Sequence, residues 1–348
     1  MQKAAMTICV STYTGDSNEW NRFVRTQSHW THFHLYGWRS VIERVFGHEC
    51  IYLEAREESG RLVGVLPLVR LRSLLFGHFL VSMPFVNYGG PIGSDEAIRA
   101  LVDASAQLAS QHRVRLLELR SRAPLPTAMA VSHRKITVVL DLPLSEDALW
   151  RSLPAKVRSQ VRRPQKEGVE IRFGIDQIEP FYEVFTAHMR DLGTPAQSLA
   201  FFKAIADEFP NEVRFACAYL GEQPIACGCG FLWNDEFEIT WASALRSHKQ
   251  LSANMLVYWT LMQRAIADGA KVFNFGRCTP GSGTHRFKLQ WGARDEELWW
   301  YQHSGNGNET GTTPSPGDAR YSLASRVWQR LPVSMTRKLG PSIVQYIP

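Results

Sequence analysis

The stretch from Phe273 to Gly292, FNFGRCTPGSGTHRFKLQWG, joins a strand pattern to a glycine-rich cationic loop. Residues 271–275 form a short alternating apolar run that predicts a buried strand. The run ends at Gly276 and Arg277, and several turn formers and further cations follow. Glycine lets backbone N–H groups approach an oxyanion, and cations supply the opposite charge. The stretch therefore favours an anion-binding loop, with a basic surface loop that binds nothing as the alternative.

Working outward, this strand closes a pattern that occurs twice along the chain. The first half contains predicted strands at 50–55, 62–69 and 80–85, then a helix at 95–110 and a strand at 115–119. The second half repeats the order with strands at 213–220, 225–233 and 237–244, a helix at 252–268 and the strand at 272–275. Antiparallel strands followed by a strand–helix–strand unit predict an α/β (α+β) fold, in which each half is a mixed, mostly antiparallel sheet flanked by helices.

The bulk composition bounds the class of protein. The chain has 348 residues, 45% of them hydrophobic, which is enough for about two domains with real cores. Six cysteines are scattered without CxxC spacing, as in a reducing compartment. The first 20 residues lack the apolar core of a secretion signal, and no run of 18 apolar residues occurs. We therefore expect a cytoplasmic protein.

The positive charge is concentrated in two segments. Residues 151–166 contain six cations and no acid, and residues 319–348 contain five cations and no acid, against a net charge of +6 for the whole chain. Such a distribution is typical of a surface that meets phosphate, nucleic acid or an anionic membrane, although a solvated face without a ligand has the same composition.

The first basic segment is predicted to be an ordered helix. Ser145 is a candidate N-cap for a short helix, and a second helix begins near Pro154 and ends at Pro164. On that second helix Arg158 and Arg162 are four residues apart and share a face.

These patterns divide the chain into four parts. Residues 1–142 form the first predicted domain and residues 143–302 the second, which bears the active site. Residues 303–318 lack large apolar side chains and are predicted to be a disordered linker. Residues 319–348 are predicted to be a basic amphipathic segment that lies on a membrane, docks on the body or contacts an anionic partner.

Several kinds of chemistry find no support. His29, His32 and His34 have the spacing of metal ligands but no nearby cysteine or acid pair, so no metal site is predicted. The chain contains no GxSxG, P-loop, GxGxxG or HExxH motif. These absences point to group transfer or binding and away from redox chemistry.

A linked set of motifs carries a family resemblance over roughly residues 20–300. The set comprises Trp150, Leu153, Lys156, Arg158, Val161, Arg162, Arg163, Lys166 and Gly168, then Trp241-Ala242-Ser243, Ala253-Asn254-Met255-Leu256, Tyr258-Trp259, Phe275-Gly276-Arg277, Gly283, Phe287-Lys288 and Trp291-Gly292. In this order the motifs resemble the Fem-type (FemAB) aminoacyltransferases and related acetyltransferase-like proteins. Residues 85–90 (FVNYGG) and 188–195 (HMRDLGTP) resemble the branch associated with exosortase (PEP-CTERM) and exopolysaccharide systems.

The resemblance implies two tandem domains of the GNAT (N-acyltransferase) fold and transfer of an acyl or aminoacyl group to an amine. In the peptidoglycan-bridge members the donor is aminoacyl-tRNA and the acceptor is a nucleotide-linked or lipid-linked muropeptide. The resemblance implies no permanently bound cofactor, only aminoacyl-tRNA or acyl-CoA as co-substrate. The glycine-rich pyrophosphate loop of ordinary GNAT enzymes is not evident at residues 245–252, although Arg246 and Lys249 remain able to hold phosphate there.

Four residues are candidates for the chemistry of such a transfer. Lys288 is the candidate for stabilising the oxyanion or a phosphate, and Arg277 for holding a phosphate or carboxylate bidentately. Asp191 or Glu238 would accept the amine proton, while a helix-end cap and a strand-edge charge are the respective structural alternatives. The candidates for substrate binding are Lys156, Arg158, Arg162, Arg163, Tyr258, Trp241, Asn254, Arg286, Asn87 and Tyr88.

Two functions stay open from the sequence. The first is an acyltransferase that acts on a cell-envelope, peptidoglycan or exopolysaccharide precursor, which is sugar-nucleotide-linked, lipid-linked or polymeric. The second is a non-catalytic protein of the same fold that binds an anionic glycan, a lipid head group or RNA. The sequence is compatible with a monomer or a homodimer, and with contact between the C-terminal segment and the inner face of the membrane.

Overall fold

The computed structural model describes residues 7–305 and 319–347, except for the side chains of residues 319–322. Its contacts divide the chain into two compact units. Unit 1 comprises the described residues 7–134, 297–305 and 345–347. Unit 2 comprises the described residues 135–296 and 319–344.

Unit 1 is built on an eight-stranded sheet. Its strands are β1 (Ile8–Thr12), β2 (Glu49–Glu57), β3 (Leu62–Ser73), β4 (Gly77–Ser82), β5 (Ile92–Gly93), β6 (Leu116–Ser121), β7 (Ala130–Ser132) and, from much later in the chain, β15 (Trp299–His303). The order is β1-β2-β3-β4-β6-β15-β7, with β5 paired to β3. The pair β4–β6 is parallel, whereas β2–β3, β3–β4 and β6–β15 are antiparallel.

The helices of unit 1 bury one face each. They are α1 (Ser17–Arg25), a short 3₁₀ turn (His32–His34), α2 (Gly37–Phe46) and α3 (Asp95–Gln111). Ser94 caps α3 by accepting a hydrogen bond from the Ala97 N–H, and two acidic residues in the first turn interact favourably with the helix dipole. Leu101 and Val102 of α3 belong to one buried cluster with Leu53 and Leu66 of the sheet, so α3 covers the strands it follows.

Unit 2 is built on a seven-stranded sheet. Its strands are β8 (Ile136–Asp141), β9 (Val169–Phe173), β10 (Val213–Leu220), β11 (Gln223–Trp233), β12 (Glu236–Ala244), β13 (Val272–Cys278) and β14 (Arg294–Glu297). Their order is β14-β8-β13-β12-β11-β10-β9. The β12–β13 pair is parallel, whereas β9–β10, β10–β11, β11–β12 and β8–β13 are antiparallel.

Eight helices of unit 2 fall within the described residues. They are α4 (Glu146–Ser152), α5 (Ala155–Lys166), α6 (Ile178–Leu192), α7 (Leu199–Glu208), α8 (Ala253–Ala267), α9 (Gly283–Leu289), α10 (Ala319–Arg330) and α11 (Val333–Val344). Ser145 caps α4 as predicted, by accepting the Ala148 N–H. Helix α5 runs on to Lys166, so the prediction that Pro164 ends it was wrong. A proline near the last turn costs one backbone hydrogen bond without stopping the helix.

The predicted repeat is confirmed. Each unit contains antiparallel strands followed by a parallel strand–helix–strand crossover: β4, α3 and β6 in unit 1, and β12, α8 and β13 in unit 2. The fold class is therefore a mixed α/β structure with two sheets flanked by helices.

The two units differ from the predicted domains at both boundaries of the second predicted domain. Strand β8 lies before residue 142, yet it pairs with β13 in the sheet of unit 2. Strand β15 lies, except for its last residue, within the predicted second domain, yet it pairs with β6 and β7 in unit 1. Hydrogen bonds between distant strands, which chain order does not reveal, decide both assignments.

The predicted linker and C-terminal segment are only partly described. His303 belongs to β15, and residues 306–318 of the predicted linker lie outside the described residues. The C-terminal segment contains α10 and α11, which both pack on α6. Within the described residues, no helix has both the length and the apolar character needed to cross a membrane.

Candidate active site

The strands β12 and β13 form a fork in unit 2. They pair through three residue pairs, of which the last joins Glu238 to Asn274. Beyond this pair β12 continues along β11 and β13 along β8. A β-bulge interrupts the β11–β12 ladder between Cys229 and Gly230, opposite Thr240. Bulges are common beside active sites because they re-aim side chains.

Lys288 and Glu238 are both buried at this fork. The exposed fraction is 3% for Lys288 and 0% for Glu238. The Lys288 ammonium donates to the carbonyl of Gly276 at 2.6 Å and to that of Arg277 at 2.9 Å. Glu238 lies within electrostatic range of Lys288 and accepts the Thr240 hydroxyl at 3.3 Å. The structure thus brings together three of the four predicted catalytic residues.

The environment shifts the acid–base behaviour of Lys288. Burial lowers the pKa of Lys288 to about 8, because the charged form loses its hydration. Interactions with Cys278 and Glu238 oppose this shift in pKa, and the charge of Arg277 adds to it. Two of its three N–H donors are used by carbonyls. Lys288 therefore carries a charge at neutral pH and is close to losing it.

Asn274 fixes the backbone that Lys288 holds. Its Oδ1 accepts the Thr137 hydroxyl at 2.7 Å and the Gly276 N–H at 2.8 Å, and its Nδ2 donates to Glu236 at 2.7 Å. Gly276 has φ of 71°, which a glycine adopts without strain. The two carbonyls that accept hydrogen bonds from Lys288 are therefore held in place by the buried side-chain amide of Asn274 and by the left-handed conformation of Gly276.

The loop between β13 and α9 is held by His285. Ser282 caps α9 by accepting the His285 N–H. The His285 Nδ1 accepts the Gly281 N–H at 3.0 Å, which leaves Nε2 to donate to Asp295 at 2.9 Å. Arg286, a predicted substrate-binding residue, is exposed and donates to the Gly281 carbonyl at 2.7 Å. The loop is therefore ordered by its own polar contacts.

A second feature of unit 2 is a cavity of about 260 Å³ between β12 and α8. Its cationic and polar lining includes Arg246, Lys249, His188 and Asn254. Asp191, the fourth predicted catalytic residue, does not line this cavity, but its carboxylate lies 3.8 Å from Arg246, which does, and 2.8 Å from Arg190. Burial lowers the pKa of His188, whose Nδ1 lies 3.1 Å from the Ala244 carbonyl oxygen.

Helix α5 forms a basic groove of about 530 Å³ in unit 2. It is lined by Arg158, Arg162, Arg163 and Lys166, while Lys156 is exposed but lies outside it. Arg158 donates to the Leu153 carbonyl at 2.6 Å. The Arg162 guanidinium lies 5.0 Å from the Trp150 ring centroid, as in a cation–π contact.

The predicted substrate residues of unit 1 lie at a cavity of about 330 Å³. Tyr88 lines it, and the Arg122 guanidinium lies 5.3 Å from the Tyr88 ring centroid. Asn87 is buried beside it in the chain. Met83 and Phe85, which precede these residues, adopt φ of 55° and 72°. Positive φ is costly for such side chains and often marks functional segments.

The aromatic candidates Tyr258 and Trp241 are packed in clusters. Tyr258 lies 5.0 Å from Phe287 between ring centroids, and burial raises its pKa well above the usual range. Trp241 lies 5.3 Å from Phe202 in an edge-to-face arrangement. Both side chains contribute to cores in the described structure, and their part in substrate binding stays a prediction.

Sequence reasoning missed several polar contacts. In unit 1 Arg120 donates to Glu118 at 2.9 Å with both side chains 1% exposed, and Gln302 donates to the same carboxylate at 2.9 Å. In unit 2 it missed the pair His285–Asp295 and the bridging role of Asn274. The alternation of Glu118 and Arg120 within an apolar strand is a signal that could have revealed the first pair, since buried charges require partners.

Comparison with known proteins is most specific for unit 2. Residues 151–289 match the Acetyltransferase (GNAT) domain family. The matched span lies within unit 2 and includes the fork, the α5 groove and the β12–α8 cavity, so the similarity to that family covers the candidate site. No curated protein matches the sequence.

Solved structures extend the GNAT likeness to both units. FemX is 13% identical and has a TM-score of 0.64, covering 84% of this chain and 98% of its own. L-PGS from Bacillus licheniformis is 12% identical with a TM-score of 0.55, covering 91% of this chain and 98% of its own. A tandem GNAT protein from the clavulanic acid biosynthesis pathway is 10% identical with a TM-score of 0.52, covering 87% and 100%. At these identities the likeness concerns the fold, and it confirms the predicted tandem GNAT-like architecture.

Proposed function

We propose that the protein is an N-acyltransferase that moves an acyl or aminoacyl group from a phosphate-bearing donor to an amine. The observation that carries this proposal is the buried pair of Lys288 and Glu238 at the fork of a GNAT-type domain. A buried lysine with a lowered pKa near a buried carboxylate is typical of sites that move protons. Arg277 adds a third charge at the same place.

The reaction forms one bond and breaks one. The amine nitrogen attacks the carbonyl carbon of a thioester or ester, so a C–N bond forms and the C–S or C–O bond breaks. Glu238 accepts the amine proton, which then passes to the departing thiolate or alkoxide. Lys288 and Arg277 stabilise the oxyanion between these steps. Of the two predicted bases we favour Glu238, because Asp191 is engaged by Arg190 and Arg246.

Two places in unit 2 suit the phosphates of the donor. The β12–α8 cavity, with Arg246 and Lys249 before a helix N-terminus, suits a compact pyrophosphate such as that of acyl-CoA. The α5 groove, with four cations along one helix, suits a longer polyanion such as aminoacyl-tRNA. Weaker binding of acyl-CoA after Arg246→Gln and Lys249→Gln would favour acyl-CoA as the donor. Weaker binding of tRNA after Arg162→Gln and Arg163→Gln would favour aminoacyl-tRNA. Lys271→Gln, at an exposed lysine of the same unit, is the control.

For the acceptor we propose an amine on a cell-envelope or exopolysaccharide precursor. The fold likeness to FemX and L-PGS supports assigning the protein to the FemAB-like group. The motifs at residues 85–90 and 188–195 support assigning it to the PEP-CTERM-associated branch of that group. Such acceptors reside at or near the membrane. The exposed apolar residues Leu323, Val327 and Leu339 of α10 and α11, in a segment without acids, support peripheral contact of the C-terminal segment.

A label-transfer assay tests the proposal. Purified protein is incubated with labelled acyl-CoA or aminoacyl-tRNA and with amine-bearing muropeptide or amino-sugar acceptors. Glu238→Gln and Lys288→Ala should each lower turnover by about 10²-fold or more. The controls Glu222→Gln and Lys271→Ala replace exposed residues of the same unit and should leave turnover unchanged. If Glu238→Gln and Lys288→Ala both turn over at the wild-type rate, the assigned chemistry is refuted.

One observation favours a second candidate function. Lys288 donates to two backbone carbonyls and is almost wholly buried, as a structural lysine would be. A non-catalytic protein of this fold would use the α5 groove to bind an anionic glycan, a lipid head group or RNA. It would bind such ligands with steep salt dependence while transferring no label.

A further inference from the structure

The β3–β4 hairpin of unit 1 ends in an unusual tip. Leu74 and Leu75, at its turn, have exposed fractions of 107% and 90%. They follow Arg72 and precede Phe76 in the chain. Single exposed leucines are ordinary on protein surfaces. Two adjacent leucines that project fully from a hairpin tip expose apolar surface that none of the described residues of unit 1 covers.

Cations surround the base of this tip. Arg72 is exposed and pairs in register with His78 across the hairpin. Burial lowers the pKa of His78, and the charges of Arg70, His112 and Arg72 lower this pKa further. Arg70 donates to the Nε2 of His78 at 2.8 Å, so both Arg70 and Arg72 lie at the base of the hairpin.

One further arginine and one acid complete this base. A methyl group added at Gly77 would lie 3.6 Å from the Cδ of Arg115, whose side chain is exposed. Glu49 is the acid in contact, and it pairs with Arg70 at 3.0 Å. Among the side chains described at the base of the tip, the arginines therefore outnumber the acidic residues.

Half-buried aromatic rings lie beside the tip. Phe76 stacks on Tyr346 with ring centroids 6.5 Å apart, and Tyr346 meets His48 at 5.7 Å. His48 in turn stacks on Phe46 at 5.8 Å. Tyr346, whose ring is apolar and whose hydroxyl is polar, is of the residue type that is enriched where proteins meet the membrane–water interface.

We propose that the tip formed by Leu74 and Leu75 inserts into the head-group region of an anionic phospholipid bilayer. The leucines would enter the acyl boundary, the aromatic rings would lie at the head groups, and the arginines would contact lipid phosphates. The arginines at the base of the hairpin favour an anionic bilayer over a neutral apolar partner. The proposal does not depend on the acyltransferase proposal.

Vesicle flotation with the full chain tests the proposal. The probes are vesicles of phosphatidylcholine alone and of phosphatidylcholine mixed with phosphatidylglycerol. We expect the wild type to float with the mixed vesicles, and Leu74→Ser/Leu75→Ser to lower the partition coefficient about tenfold or more. Leu144→Ser, at a leucine of unit 2 that is 98% exposed, is the matched control and should leave flotation unchanged.

A site-specific probe separates insertion from any other membrane contact. Cys9 is exposed and the other cysteines are buried, so a Cys9→Ser background accepts a polarity-sensitive fluorophore at Leu74→Cys or, as control, at Leu144→Cys. Mixed vesicles should blue-shift the emission of the label at 74 and not of the label at 144. No flotation, equal flotation of the double-serine variant, or an unshifted label at 74 would each overturn the proposal. So would a vesicle-independent blue shift that grows with protein concentration, which would identify a second copy as the occupant.

Discussion

At the scale of single residues, Lys288 is the most informative group. A lysine ammonium in a core is costly unless it is hydrogen-bonded, and here two carbonyls of β13 provide those bonds. The cost appears as a pKa lowered to about 8. The same burial that disfavours the charge makes the residue responsive to a nearby anion, because charges interact more strongly away from water.

This shift predicts a dependence of stability on pH. The pKa of Lys288 is 10.5 in an ordinary setting and about 8 in the folded chain. Between these values the unfolded chain holds a proton that the folded chain has released, so stability rises with pH. Below pH 8 both states are protonated and the full cost of burying the charge is present. The slope contributed by Lys288 should approach about 1.4 kcal/mol per pH unit.

Urea unfolding of the wild type and of Lys288→Met across this window measures the slope. The variant keeps a similar side-chain length but cannot titrate, so the difference between the two free energies of unfolding isolates the lysine. Lys271→Met replaces an exposed lysine of the same unit and should follow the wild type. Identical slopes for the wild type and Lys288→Met would contradict the lowered pKa.

At the scale of elements, strand β13 and helix α9 use glycine for opposite reasons. Gly276 lies at the irregularity in the pairing of β13 with β8 and has φ of 71°, and its carbonyl accepts a hydrogen bond from Lys288. Gly283 begins α9, and a methyl group added there would meet no atom within 4 Å. The first glycine is required by the backbone and the second is not.

The two positions predict opposite effects of alanine. Gly276→Ala should destabilise the protein by about 1–2 kcal/mol, because an L side chain is strained in the left-handed region. Gly283→Ala should stabilise it by about 0.4–1 kcal/mol, because it restricts the unfolded chain at a helical position. Chemical denaturation of both variants measures the pair. Stabilisation by Gly276→Ala would show that the turn is not held in this conformation.

At the scale of the whole molecule, unit 1 is completed by a distant strand. Strand β15 lies between β6 and β7, and its Tyr301 is 5% exposed and accepts the Leu125 N–H at 2.8 Å. Trp300 on the same strand packs over Arg120 at 4.6 Å. Unit 1 therefore depends on residues that follow most of unit 2 in the chain.

Tyr301 provides a test of this dependence. Tyr301→Ala should destabilise unit 1 by about 3–5 kcal/mol through the cavity it leaves. Tyr301→Phe keeps the ring and should cost only about 1 kcal/mol for the lost hydrogen bond. Limited proteolysis with mass spectrometry should find new cleavage sites of Tyr301→Ala within residues 7–134. If new sites appear only within residues 135–296, β15 does not stabilise unit 1.

The sequence by itself determined the repeated order of strands and helices, because alternation, turn residues and caps such as Ser145 are local signals. It also pointed to Lys288 and Arg277, which lie in motifs that resemble a family, and to Glu238 as a carboxylate on a predicted strand. Only the tertiary structure decided that β8 joins the sheet of unit 2 and β15 joins the sheet of unit 1, each across a predicted domain boundary. Strand partners are chosen by hydrogen bonds between distant segments of the chain. For the same reason, only the structure showed that Asp191 lies beside two arginines and that Lys288 is hydrogen-bonded to backbone carbonyls. Burial and contact partners determine the acid–base behaviour of a charged group, and both exist only in the folded chain.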